Sequence, residues 1–140
     1  MKKSELYLKA GHPDTHADDL RELARHEHHE VRLRVAEHAN APHDLLKTLA
    51  SDQHPEIRTA VAEHPSASAA MLEQLARDEH VDVRYALAEN SRLPLHLLRL
   101  LAQDENAYVS YRAAKTLRRV EGIDAATKIE SAEEAAKKIG

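Results

Sequence analysis

Leucine and alanine recur along this chain on a fixed ruler. Leu20, Leu46, Leu72 and Leu98 stand 26 residues apart, as do Leu23, Leu49, Leu75 and Leu101, and the alanines Ala24, Ala50, Ala76 and Ala102. A second block keeps the same step: Val31, Ile57, Val83 and Val109, then Ala36, Ala62, Ala88 and Ala114. No insertion breaks the register from Leu20 to Ala114. A period of about 20–50 residues marks a repeat array, in which each unit hides its apolar face against its neighbours.

Each unit reads as two short helices. The first carries L-x-x-L-A, whose i, i+3, i+4 spacing places the apolar residues on one helical face. The second carries V-R-x-x-V-A in the copies Val31–Ala36, Ile57–Ala62 and Val83–Ala88, with a fourth copy at Val109, Ser110, Ala113 and Ala114. At 100° per residue, Val31, Arg32, Val35 and Ala36 share a buried arc. Pro55 suits the first turn of such a helix, where its missing N–H costs little. Polar linkers with Pro or Asn return the chain, as in His64-Pro65-Ser66. The period leaves each helix about two to three turns, and one of the pair can be 3₁₀.

The ends depart from the pattern. Residues 1–13 read as an N-terminal half-repeat or cap, because Ala10-Gly11-His12-Pro13 matches the close of a second helix and its linker. Residues 14–120 form the array. Residues 121–140 read as a capping helix or a flexible tail, with Gly122 as a helix stop. A further helix is expected over Ser131–Ile139, with Ile129, Ala132, Ala136 and Ile139 on one side.

Composition narrows the picture. Phe, Trp and Cys are absent, so the core is built from Leu, Val, Ile and Ala. Without cysteine there is no disulfide, thiolate metal site or cysteine nucleophile. The formal charge of −4 gives no global basic field for nucleic acid. No apolar run has the length of a signal peptide core or a membrane span, so a soluble cytoplasmic protein is expected.

The string L-x-x-L-A-x-D-x-x-x-x-[VI]-R-x-x-V-A-x-[HN]-P, fullest from Leu46 to Pro65, resembles the leucine-rich-repeat variant family. It is also similar to the broader HEAT-like class through its Asp…Val-Arg element. The resemblance spans roughly residues 10–120. It implies an all-α, right-handed solenoid of four two-helix units with terminal caps, built of alternating α- and 3₁₀-helices. Some members of the family carry a cysteine-rich iron–sulfur segment. With no cysteine that cofactor does not carry over, and none is expected.

Several residue sets are candidates for chemistry. Arg32, Arg58 and Arg84 sit beside buried valine or isoleucine, and Asp52 and Asp78 precede two of them by six residues. A phosphate-binding arginine row is one reading. A structural ladder of Asp–Arg pairs within and between units is the stronger one, because a half-covered Arg needs a partner. His26 and Ser110 break that ladder at its ends, where packing demand is weaker. The histidines of His26-Glu27-His28-His29-Glu30 offer the right ligand types for zinc or nickel. They lack a pair at i, i+4 on one face, so no metal site is assigned. The other histidines fall in columns at His28, His54 and His80, and at His12, His38 and His64. Column neighbours lie about 10 Å apart, too far to share a metal, so turn and cap roles are expected.

The second helices offer the best functional surface. Three columns are expected to face away from the buried arc: Leu33, Thr59, Tyr85 and Tyr111; Arg34, Ala60, Ala86 and Arg112; and Glu37, Glu63, Glu89 and Lys115. Tyrosine anchors beside a row of acids suit a protein or peptide partner carrying Lys or Arg. The sites expected to bind it are Leu33, Arg34, Glu37, Thr59, Glu63, Tyr85, Glu89, Tyr108, Tyr111 and Arg112. The bland alternative is a solvated face with a tyrosine lying over its neighbour. A basic patch at Arg112, Lys115, Arg118 and Arg119, with Tyr108 and Tyr111 interleaved, gives nucleic-acid binding as the alternative function. Some HEAT-like solenoids bind DNA. No phosphate loop, nucleophile elbow or His-Glu-x-x-His occurs, so an enzyme is not expected.

Overall fold

The structure is a computed structural model that describes the backbone of residues 1–139 and the side chains of residues 1–122, 134 and 136–138. Among these residues it is all helix: α1 (Lys3–Gly11), α2 (Ala17–Leu23), α3 (His29–Ala36), α4 (His43–Leu49), α5 (Pro55–Glu63), α6 (Ala69–Leu75), α7 (Val81–Ala88), α8 (Leu95–Leu101) and α9 (Ala107–Ile139). The pairs α2/α3, α4/α5, α6/α7 and α8/α9 follow the repeat. Each first helix has seven residues.

Both members of each pair are α-helices, so the expected 3₁₀ partner does not form among the described residues. The first helices close with the i→i−4 bond of an α-helix, as where the Ala50 N–H donates to the Leu46 carbonyl at 2.9 Å. Past that point the bonds tighten to i→i−3, from Ser51 to Thr48 and from Asp52 to Leu49, each at 3.1 Å. Such tightening is ordinary at helix C-termini.

The second helices pack side by side in chain order: α3 lies on α1 and α5, and α7 lies on α5 and α9. Each first helix packs on the second helix of its own pair and on that of the pair before. Val31, Val35, Ile57, Val61, Val83, Leu87 and Val109 are wholly buried between the layers. Leu20, Leu46 and Leu98 are fully buried, whereas Leu72 of the same column is only partly so. In α6 the buried place is taken by Met71, whose column also holds buried Leu45 and Leu97. Side chains rather than close packing bridge successive first helices. Arg21 grips Asp44 with Nε and Nη2 at 3.1 and 3.2 Å, and Gln74 donates to the Ser51 hydroxyl at 3.0 Å. The bond from Arg21 holds the Asp44 carboxyl below its ordinary range.

At the N-terminal end, α1 is tied to α3. Lys3 Nζ lies 2.9 Å from Glu30, and that contact first of all holds the Glu30 carboxyl at about 2. At the other end Gly122 does not stop the helix: α9 continues through it to Ile139. A glycine stop needs the left-handed conformation, and no glycine among the described residues has positive φ. Of the side chains expected to form a capping face, those of Ile129, Ala132 and Ile139 lie outside the described residues, and Ala136 is exposed. No helix among the described residues is long and apolar enough to cross a membrane.

Candidate binding surface of the second helices

Two ladders lock the second helices in register. In the first, each arginine joins two units. Arg58 donates from Nε and Nη2 to Asp78 at 2.7 and 3.0 Å, and from Nη1 to the Asp52 backbone carbonyl at 2.7 Å. Arg32 repeats this with Asp52 and the His26 carbonyl, and Arg84 with Asp104 and the Asp78 carbonyl. The carboxylate partner therefore stands 20 residues after the arginine, in the next unit, while the residue six positions before contributes only its carbonyl. Each aspartate also accepts from the backbone N–H two residues on: His54 for Asp52, His80 for Asp78, Asn106 for Asp104. Burial opposes ionisation of Asp52, but the bonds from Arg32 and from the His54 N–H outweigh it and hold the carboxyl below its ordinary value.

This phase explains the ends better than weak packing does. His26 occupies the aspartate column but no arginine precedes it; Leu6 stands where one would. Its Nδ1 still accepts the His28 N–H at 3.2 Å, which is the turn-forming half of the aspartate's job. Ser110 stands where the next arginine would reach toward residue 130, outside the described side chains.

The second ladder is histidine. His64 Nε2 lies 2.8 Å from the His38 carbonyl, and His38 Nε2 lies 2.8 Å from the His12 carbonyl. In each ring Nδ1 accepts a backbone N–H two residues on, at 3.0 Å, from Ser66 and Asn40. A carbonyl only accepts and an N–H only donates, so the Nε2–H tautomer satisfies both contacts. The column of histidines was visible in the sequence; that each reaches back 26 residues to its own counterpart was not.

Between these ladders runs a track of depressions. One, about 640 Å³, lies between α3 and α5 over Leu33, Thr59 and Ala60. Glu37 and Glu63 border it on one side, and Glu56 and Asp82 on the other. The next, about 550 Å³, continues between α5 and α7 over Ala62 and Ala86, with Glu63, Glu89 and Arg92 at its edge. A smaller one, bordered by Gly11, Arg34 and Glu37, precedes them. The three acids hold equivalent places: Glu63 ends α5, and Glu37 and Glu89 cap the ends of α3 and α7. Helix C-termini carry partial negative charge, which adds to the acids' own.

The expected site residues divide. Leu33, Thr59, Glu37, Glu63 and Glu89 border the track. Arg34 fills its N-terminal end: its guanidinium lies 5.3 Å from the Tyr7 ring centroid, and Nη1 donates to Glu37 at 3.2 Å. Gly11 makes that fit possible, since a Cβ there would lie 2.4 Å from Arg34 Nε. Leu33, Ala60 and Tyr85, expected to face away from the buried arc, are half-covered: they pack against the core, and Leu33 and Ala60 also line the depression between α3 and α5. Tyr85 is thus half-covered rather than a projecting ring. Of the four residues expected in the tyrosine column, Tyr111 alone is exposed, at 66%, since among the described residues no second helix lies on the far side of α9. Tyr108, at 79% exposure, shares that outer face with exposed Lys115, Arg118 and Arg119. Arg112, expected beside them, has its Nε buried.

The His26–His29 cluster is drawn into packing. The His26 and His28 ring centroids lie 5.0 Å apart, and His29 stacks on His54 at 4.2 Å. No group of three or more His, Asp or Glu side chains converges on one point among the described residues.

The helix pairs and their two ladders define a helical repeat protein. The family model described as leucine rich repeat variant matches residues 55–80, one full period from Pro55 to His80, and supports that family for the chain. No curated protein and no solved structure gives a match. The iron–sulfur segment of some family members finds no thiolate ligand anywhere in this sequence.

Proposed function

We propose that this chain is a non-catalytic scaffold, wound as a right-handed solenoid, that binds protein segments rich in Lys or Arg along the second helices. The observation that supports this most is the acid-bordered track itself. Apolar floor residues give a segment something to lie on, and Glu37, Glu56, Glu63, Asp82 and Glu89 give its cations partners. The contact of Arg34 with Glu37 is an internal example of a guanidinium taken at this row. The binding surface is centred on Leu33, Thr59 and the glutamates rather than on Tyr85 and Tyr111. Replacing Glu63 by Lys tests this. Affinity for basic peptides should collapse while the helical content and unfolding midpoint stay put, because Glu63 is exposed and makes no ion pair among the described residues. Undiminished binding would overturn the reading.

A second reading rests on the outer face of α9, where Tyr108 and Tyr111 are the most exposed tyrosines beside Lys115, Arg118 and Arg119. Stacking aromatics among cations suit single-stranded nucleic acid. Affinity there should fall steeply as salt rises and vanish on Arg118→Glu with Arg119→Glu. Weak salt dependence would remove this reading.

A further inference from the structure

The acids of the track are not scattered; they recur once per unit at one structural position. Glu37, Glu63 and Glu89 each stand at the C-terminal end of a second helix, and the same column then changes sign at Lys115. Their helices are directly packed neighbours, α3 on α5 and α5 on α7. The histidine ladder, at 2.8 Å per rung, holds the ends of α3 and α5 in register. Packed helices lie about 8–10 Å apart. Equivalent positions on such neighbours repeat at about that interval, and these glutamates border depressions between α3 and α5 and between α5 and α7.

Three ways of laying a peptide along such a row can be compared. A β-strand rises about 3.3 Å per residue and alternates faces, so its same-face side chains recur about every 6.6 Å and drift out of step with the acids. An α-helix returns to one face only every three to four residues, an advance of about 5.4 Å per turn. A polyproline II segment has three residues per turn and rises about 3.1 Å per residue, so every third side chain points the same way at intervals of about 9.3 Å. An α-helix comes near the spacing of packed helices only at every seventh residue, at about 10.5 Å, whereas the polyproline II segment falls within it at every turn. Its unpaired backbone also needs no sheet edge, which an all-helical surface does not offer.

On the reading above that the track takes basic segments, we infer that its partner is an extended, polyproline II segment with Lys or Arg at every third position. Three consecutive cations meet Glu37, Glu63 and Glu89. The row is limited to three, because Lys115 repels a fourth and Arg34 closes the other end against Tyr7. The intervening residues lie over Leu33, Thr59 and Ala60 in the larger depression and over Ala62 and Ala86 in the next. Glu37 exchanges its internal partner Arg34 for the incoming cation, so it is the weakest of the three positions.

Two dye-labelled peptides of equal composition separate spacing from charge: Lys-Pro-Pro repeated three times, and the isomer with its three lysines contiguous between prolines. Both favour polyproline II; only the first places three cations on one face. Fluorescence anisotropy on the whole chain should show the periodic peptide binding about fivefold to tenfold more tightly, the effect of two added rim ion pairs. Glu63→Gln should bring the two peptides together, and Glu89→Gln should do so in part. Equal affinity of the two for the unaltered protein overturns the spacing while leaving a basic-segment groove standing. Failure of both to bind at low salt, or indifference of both to Glu63→Gln, overturns the groove as well.

Discussion

Arg58 and Asp78 meet across a repeat boundary, with Nε and Nη2 of the guanidinium on the two carboxylate oxygens at 2.7 and 3.0 Å and both side chains only 9% exposed. The pair does two jobs at once. It fixes the end of α6 against α5, and it orients the carboxylate that also caps the turn before α7 through the His80 N–H. Asp78 in turn raises the Arg58 pKa further above its ordinary value, chiefly through the direct hydrogen bond. Because the bridge recurs between Arg32 and Asp52 and between Arg84 and Asp104, the register of α3, α5 and α7 depends on it.

Removing one partner leaves the other buried and uncompensated, which costs about 3–5 kcal/mol. Arg58→Ala is therefore expected to lower the urea unfolding midpoint sharply. Asp78→Asn should do nearly the same, although an asparagine still caps His80. A loss under about 1 kcal/mol, the range of an exposed pair, would show that the bridge is decorative.

The equivalent bridge between Arg32 and Asp52 makes stability depend on acid. Asp52 ionises below its ordinary value of 3.8 in the folded chain. The unfolded chain therefore takes up a proton at higher pH than the folded chain does. Stability from this group is complete above the unfolded value and is lost as pH falls through the folded one. The difference in stability between the natural chain and Asp52→Asn should be constant above about pH 5 and shrink below it. Thermal melts from pH 7 down to pH 3 measure it, and a gap that widens toward acid would reverse the assignment.

The histidine ladder predicts a graded series at one position. His64→Ala removes two hydrogen bonds, leaving the His38 carbonyl with the Ala41 N–H alone and the Ser66 N–H to solvent, at a cost of about 0.5–1.5 kcal/mol for each bond lost. His64→Asn should fall between alanine and the natural residue. Asn90 shows why: it occupies the same column and its Oδ1 accepts the Arg92 N–H at 2.9 Å. An asparagine thus keeps the local cap while giving up the reach to the preceding unit. Equal destabilisation by alanine and asparagine would mean that the local cap contributes nothing.

How far the sequence alone reaches is clear at particular residues. Its fixed period gave the helix pairs, and Val31, Arg32, Val35 and Ala36 are the four buried residues of α3. Periodicity cannot say which unit a column faces. That is why Asp52 looked like a partner for Arg58, six residues on, when it binds Arg32 from the unit before. Angular position on a lone helix also misplaced Leu33 and Tyr85. A neighbouring helix covers part of a face that points away from the first-helix layer, so Leu33 and Tyr85 are half-covered, while Tyr7 and Tyr111 at the two ends of the column are exposed. Gly122 carried a stop signal with no left-handed turn to express it. Among the candidate site residues, the glutamates were placed on the surface by charge and spacing. The depressions they border depend on how α3, α5 and α7 sit against one another, which no single repeat encodes.

The claim that the second helices bind basic segments is tested most directly by selection from a random peptide display library on the natural chain and on the Glu37→Lys, Glu63→Lys, Glu89→Lys variant. The natural chain is expected to enrich Lys- and Arg-bearing peptides that the variant fails to retain, with both proteins equally helical. Recovery of the same peptides by both, or enrichment without basic residues, would contradict it.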